Sequence, residues 1–132
     1  MSELPDISGI HHVTLSASDL EASIDWYSSL FGFEVVKRVT VDGLDKAMLT
    51  RGPLRVTFIN HGEYAVRGPF SERRCGLDHL SFAVRDRATL DAWVARLDDA
   101  GVLRGDVKRG GTGDVVSFRD PDNIALEFYT LI

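Results

Sequence analysis

The chain has 132 residues, 44% of them hydrophobic and 27% charged, which suits one compact core and leaves no low-complexity tract. Its net charge of −5, with 15 basic residues scattered apart from "ERR" at 72–74, speaks against nucleic acid, whose affinity rests on clustered cations neutralising phosphate. Cys75 is the only cysteine, which excludes a disulfide framework; no apolar run nears the ~18 residues of a membrane span, and "MSELPDISG" lacks the basic and apolar regions of a secretion signal, so the expectation is a soluble, cytoplasmic protein.

In chain order, "GIHHVTLSA" (9–17) reads as a strand that carries His12 near its start. A helix follows from Ser18 or Asp19, where Ser18 and Glu21 fit the spacing of a capping box. Leu20, Ile24, Tyr27 and Leu30 or Phe31 form one apolar stripe, and Gly32 supplies a left-handed stop. Three strands are predicted next, at 33–41, 45–52 and 54–61, with "DG" at 42–43 as a tight hairpin turn between the first two. The Gly-, Pro- and charge-containing stretch from 62 to 76 reads as a loop. "GLDHLSFAV" (76–84) then repeats the opening pattern with His79, and a second helix follows Asp86 with Leu90, Trp93, Val94 and Leu97 as its stripe and Gly101 at its end. A short strand near 103–108 and two longer ones at 113–120 and 124–131 complete the chain, the last two joined by the turn-forming "DPDN". Tyr27 and Trp93, on the helix stripes, are expected in the core.

The two halves are copies of one unit. His12 aligns with His79 at an offset of 67, and "VTFIN" (56–60) with "LEFYT" (126–130) at an offset of 70, which sets Thr57 opposite Glu127. The expected fold is α+β: two βαβββ modules, about 8–62 and 77–132, joined by a loop at 63–76 and forming a curved mixed sheet around a cavity. Glu127 interrupts an apolar strand and shares its face with Ala125 and Tyr129. Taken singly, His12, His79 and Glu127 are each compatible with an ordinary strand position. Their equivalent placement is the signal. If the sheets pair edge to edge about a pseudo-two-fold axis, two imidazoles and one carboxylate meet, a set that binds a divalent first-row metal and leaves coordination positions open.

The stretches "IHHVTLSASDLEASIDWYSSLFGFEVV", "GLDHLSFAV" and "FRDPDNIALEFY" resemble the vicinal oxygen chelate superfamily, which includes glyoxalase I, fosfomycin-resistance thiol transferases, extradiol dioxygenases and bleomycin-resistance proteins. The resemblance implies His12, His79 and Glu127 as ligands of Fe(II), Mn(II), Ni(II) or Zn(II), a small-molecule substrate with adjacent oxygens, and a homodimer. It does not choose a reaction, because the fold hosts several. Thr57 stands where glyoxalase I and methylmalonyl-CoA epimerase carry a carboxylate, which counts against both. The ligand set leans towards a dioxygenase, for which His61 and Tyr129 are candidate acid–base groups. A glyoxalase-type lyase or isomerase, a thiol transferase and a metal-free drug-binding protein are the alternatives. His11 is expected to face away from His12, outside the cavity. The loop residues Tyr64, Arg67, Phe70, Arg73 and Arg74 are expected near the cavity mouth.

Overall fold

The computed structural model describes residues 4–132; the first three residues of the stretch read for a secretion signal lie outside the described residues. The first module comprises β1 (Val13–Ser16), α1 (Leu20–Phe31), β2 (Glu34–Val41), β3 (Leu44–Arg51) and β4 (Leu54–Asn60). The second comprises β5 (Leu80–Val84), α2 (Arg87–Asp99), β6 (Lys108–Arg109), β7 (Asp114–Arg119) and β8 (Ala125–Thr130). Each builds a four-stranded mixed sheet, ordered β1-β4-β3-β2 and β5-β8-β7-β6. The first strand lies parallel to the last, and the others pair antiparallel. A parallel pair needs a crossover connection, and the helix and intervening strands of each module supply it.

The register reproduces the repeat. Thr14 lies opposite Thr57 in the first sheet, and Ser81 lies opposite Glu127 in the second. The offsets of 67 and 70 therefore hold in space as in sequence. Asp42 and Gly43 both adopt positive φ (51° and 78°), as a primed hairpin turn requires. Differences from the expected strands are local. The short strand of the second module is only Lys108–Arg109, preceded by a single bridge between Arg104 and Phe118.

The start of α1 departs from the capping-box expectation. Asp19 is the N-cap and accepts from the Ala22 N–H, while Ser18 donates both its backbone N–H and its hydroxyl to the Asp122 carboxylate. Ser18 is taken up by the turn between β7 and β8, so the cap falls to the next residue. Gly32 ends the helix in the left-handed region as expected.

One core serves both modules. Ile24, Tyr27, Leu30 and Phe31 of α1 are buried, and the Phe31 ring lies 5.1 Å from Phe82 and 5.6 Å from Phe128. Trp93 stacks on Phe128 at 4.6 Å, so Tyr27 and Trp93 are core aromatics, as the stripes predicted. The buried Tyr27 hydroxyl donates to Asp120 Oδ2 at 2.7 Å, and Asp120 Oδ1 accepts from the Asp122 and Ile124 N–H groups. Burial pushes the Asp120 carboxyl up and, with Asp120's charge beside it, the Tyr27 phenol up as well. This network fixes the turn that feeds β8.

Packing on the helix side leaves the opposite face of the second sheet partly open, whereas on the first sheet that face is exposed at Thr14 and Ser16 and buried at Thr57 and Ile59. Along β8, Leu126, Phe128 and Thr130 are buried, while Ala125, Glu127 and Tyr129 are half-buried on the other face. By register, Thr14, Ser16 and Thr57 hold the corresponding face of the first sheet. The strands β1 and β5 are the outer strands of their sheets and do not pair with each other in this chain. The edge-to-edge arrangement considered from sequence is therefore not made within one copy. Among the described residues, no helix is long and apolar enough to cross a membrane.

Candidate metal centre

His79 directly precedes β5, in which Ser81 is the register partner of Glu127, and its ring lies on the Glu127 side. The distance from His79 Nε2 to Glu127 Oε1 is 3.3 Å. On its other side, His79 Nδ1 lies 2.7 Å from Asp78 Oδ1. An ionised carboxylate only accepts, so His79 donates its Nδ1–H to Asp78; a protonated ring also donates Nε2–H to Glu127, and a neutral ring, its one hydrogen on Nδ1, has the Nε2 lone pair to offer an ion. The Asp78 hydrogen bond, opposed by partial burial and aided by Glu127, holds the His79 imidazole above its ordinary pKa. The Glu127 side chain is 16% exposed and that of His79 45%. An imidazole with a carboxylate behind it and a second carboxylate in front matches the donor chemistry of a divalent metal site, in which the ligating ring passes its other N–H to an acid.

The first module repeats the placement with different partners. His12 lies two residues before Thr14, whose register partner is Thr57 rather than a carboxylate. Its Nδ1 is 2.9 Å from His11 Nδ1, and Arg55 Nη1 is 2.8 Å from His11 Nε2. The expectation that His11 faces away from His12 is corrected: both residues precede β1, strand alternation does not reach them, and their rings meet edge to face at 5.1 Å. Both residues are exposed. Among the described residues no three His, Cys, Asp or Glu side chains converge to hold an ion. The chain brings His79 and Glu127 together and leaves His12 apart from them.

His61 follows β4 and opens a short 3-10 turn at Gly62–Tyr64. It lines a cleft of about 1150 Å³ between β1, the loop 62–77 and the turn 121–124, along with Tyr64, Arg67, Phe70 and Arg74. His79, Glu127 and Tyr129 do not line that cleft. Tyr129 shares the open face with Glu127, and its hydroxyl oxygen accepts the Thr112 N–H at 3.2 Å, which lowers the phenol's pKa. Sequence reasoning missed two residues. Asp78 directly precedes His79, and the repeat offset pairs it with His11, a signal present in the sequence. Arg55 carries no such signal, because its approach to His11 depends on how the arm before β1 is laid against β4.

The family model described as the Glyoxalase/Bleomycin resistance protein/Dioxygenase superfamily matches residues 9–128. A crystal structure of a glyoxylase/bleomycin resistance protein/dioxygenase domain from Frankia sp. EAN1pec shares 34% identity and a TM-score of 0.86, over 95% of this chain and 93% of that one. The metallothiol transferase FosB of Shouchella clausii is 28% identical over 94% of this chain and 81% of its own length. A mutant of the fosfomycin resistance protein FosX from Listeria monocytogenes, complexed with Mn(II) and 1S,2S-dihydroxypropylphosphonic acid, shares the fold at a TM-score of 0.71 and 21% identity, over 94% of this chain and 90% of that one.

Proposed function

This chain belongs to the Glyoxalase/Bleomycin resistance protein/Dioxygenase superfamily, and from that premise we propose that it is a metal-dependent enzyme for a small substrate with two neighbouring oxygens, with His12, His79 and Glu127 as ligands. The observation that carries this reading is the His79–Glu127 pair at 3.3 Å with Asp78 hydrogen-bonded behind the imidazole. His12 does not reach that pair within one copy, so the third ligand comes from a second copy. A homodimer that joins the free edge of β1 to the free edge of β5 covers both outer strands and brings one module's His12 to the other module's half-site.

Imidazole and carboxylate donors suit Fe(II), Mn(II), Ni(II) or Zn(II), and the Mn(II) bound by the FosX structure makes manganese the first ion to try. Bound there, a divalent ion supplies Lewis acidity towards the substrate oxygens. The protein's own groups then have separate tasks. Asp78 holds the His79 ring in place. Tyr129 keeps its own O–H free while accepting from Thr112, so it can donate to a substrate oxygen beside Glu127. His61 and the cationic loop residues Arg67 and Arg74 border the cleft next to β1 and act on the part of the substrate that lies outside the ligand set.

Among reactions, the relation to the metallothiol transferase FosB supports thiol addition at an oxygen-bearing carbon: the carbon–sulfur bond forms as a carbon–oxygen bond breaks, and the released oxygen takes a proton. Extradiol-type dioxygen chemistry is the second reading, favoured by Tyr129 on the Glu127 face. A metal-free drug-binding protein leaves the Asp78–His79–Glu127 arrangement without a purpose. The exposed thiol of the single Cys75 fits a reducing, cytoplasmic setting. The test is metal content of anaerobically purified protein beside His12→Ala and Glu127→Ala, followed by turnover assays of a thiol with an epoxide and of dioxygen with a catechol. About one divalent ion per chain, lost in both variants, is the expected result. No metal after incubation with all four ions would overturn the enzyme reading.

A further inference from the structure

The two histidines of the ligand set are held by hydrogen-bond chains that run in opposite senses. The residue before each imidazole is the contact to its Nδ1: Asp78 for His79 and, at the same repeat offset, His11 for His12. Asp78 is an acceptor, so His79 donates through Nδ1, and in its neutral form it presents an unprotonated Nε2. In the first module the chain starts from a donor. The Arg55 guanidinium has only N–H groups, so at 2.8 Å His11 Nε2 accepts from it. A neutral His11 then carries its hydrogen on Nδ1 and donates it across 2.9 Å to His12 Nδ1. A neutral His12 whose Nδ1 accepts carries its hydrogen on Nε2. One nitrogen of His12 is occupied as an acceptor and the other is protonated, so neither offers a lone pair to an ion.

We infer that Arg55, acting through His11, is a positioning residue that holds His12 in the tautomer unable to ligate, so that the metal site closes only when the Arg55–His11 hydrogen bond opens. This rests on the proposed ligand set and adds a gate to it: His79 and Glu127 form a standing half-site, and His12 joins it conditionally. Once Arg55 lets go, His11 Nε2 takes the hydrogen, His11 Nδ1 accepts from His12 Nδ1–H, and His12 Nε2 gains its lone pair. The chain of hydrogens shifts by one position with no change in their number. Arg55 and His11 are both exposed, so the bond can exchange with water.

The test combines the tautomers with the affinity. In the metal-free protein, nitrogen-15 correlation spectra of the imidazoles are expected to show His11 protonated at Nδ1 and His12 at Nε2. In Arg55→Met, which removes the donor from an exposed position, both rings are expected to switch to the opposite nitrogen. Arg55→Lys keeps a donor and is expected to keep the wild-type pattern. By chelator competition with Mn(II) or Zn(II), Arg55→Met is expected to bind about tenfold tighter than wild type, the size of effect produced by a ligand's outer hydrogen-bond partner. Metal bound through His12 with the same affinity in wild type and Arg55→Met would overturn the gate alone, as would His11 protonated at Nε2 in the wild type. No metal bound by either protein would overturn the ligand set and the gate with it.

Discussion

The two modules share a fold and differ in what surrounds the same histidine. Their sheets have the same order, and their first and last strands meet in the same register. In the second module the imidazole sits between two carboxylates, Asp78 and Glu127. In the first, His12 meets His11, which is backed by the Arg55 cation, and the strand position equivalent to Glu127 holds Thr57. The repeat supplies two scaffolds of the same topology, and in the proposed ligand set point differences make one a metal half-site and the other a donor of a single ligand. On that proposal neither face suffices alone, and metal binding requires unlike faces to be brought together.

The comparison can be broken most sharply at Glu127. Glu127→Ala removes the one carboxylate that distinguishes the β8 face from the β4 face, and metal affinity is expected to fall at least about 100-fold, more than the loss of an outer hydrogen-bond partner costs. The thermal unfolding midpoint should stay close to wild type, because Glu127 lies on the open face and not among the packed residues. A variant that unfolds while still binding metal would contradict its placement.

Tyr27→Phe tests the packing that holds β8 in position for that carboxylate. It removes the hydroxyl bonded to Asp120 and is expected to cost about 2 kcal/mol at neutral pH, read by urea denaturation. The sign with pH follows from Asp120. Its folded pKa is raised, chiefly by burial, so its contribution to stability is full below the unfolded carboxyl value of about 3.9 and is lost as pH rises through the folded value. The Tyr27 bond favours the ionised form and offsets part of that loss. The gap between wild type and Tyr27→Phe should therefore narrow as the solution is acidified.

Asp78→Ala makes the second module more like the first by removing the acceptor behind His79. About tenfold weaker metal binding is expected at pH 8. Because Asp78 is the main cause of the raised His79 pKa, protons compete with metal at higher pH in the wild type than in the variant. The deficit of Asp78→Ala should shrink between pH 8 and pH 6, measured by chelator competition across that range. The smallest effect belongs to Ser18→Ala, which loses one exposed hydrogen bond to Asp122 while keeping the Asp19 cap. About 1 kcal/mol or less is expected by the same denaturation assay.

Much of this asymmetry could be read from the chain. The two strand–helix–strand patterns, the glycine and Asp-Gly stops, the core stripes and the Thr57–Glu127 equivalence all follow from local chemistry that neighbouring residues decide. The capping residue of α1 was misplaced because Asp122, 104 positions away, takes Ser18. His11 departs from the alternating pattern because it and His12 precede β1, where no ladder fixes the side-chain direction. Arg55 was invisible for the same reason: a contact between an arm and the start of β4 depends on tertiary placement and leaves no periodic mark. The partners of His79 were closer to hand, since Asp78 is adjacent and Glu127 is fixed by register.

The most direct test of a site shared between unlike faces is complementation. His12→Ala lacks the first-module ligand and Glu127→Ala lacks the second-module carboxylate, so neither alone should hold metal. Unfolded together in equal amounts and refolded, half the dimers are mixed, and each mixed dimer contains one intact His12 facing one intact His79–Glu127 pair. Bound metal should recover to about a quarter of the wild-type amount. Recovery at that level is the predicted result. A mixture that holds no more metal than the separate variants would contradict the account.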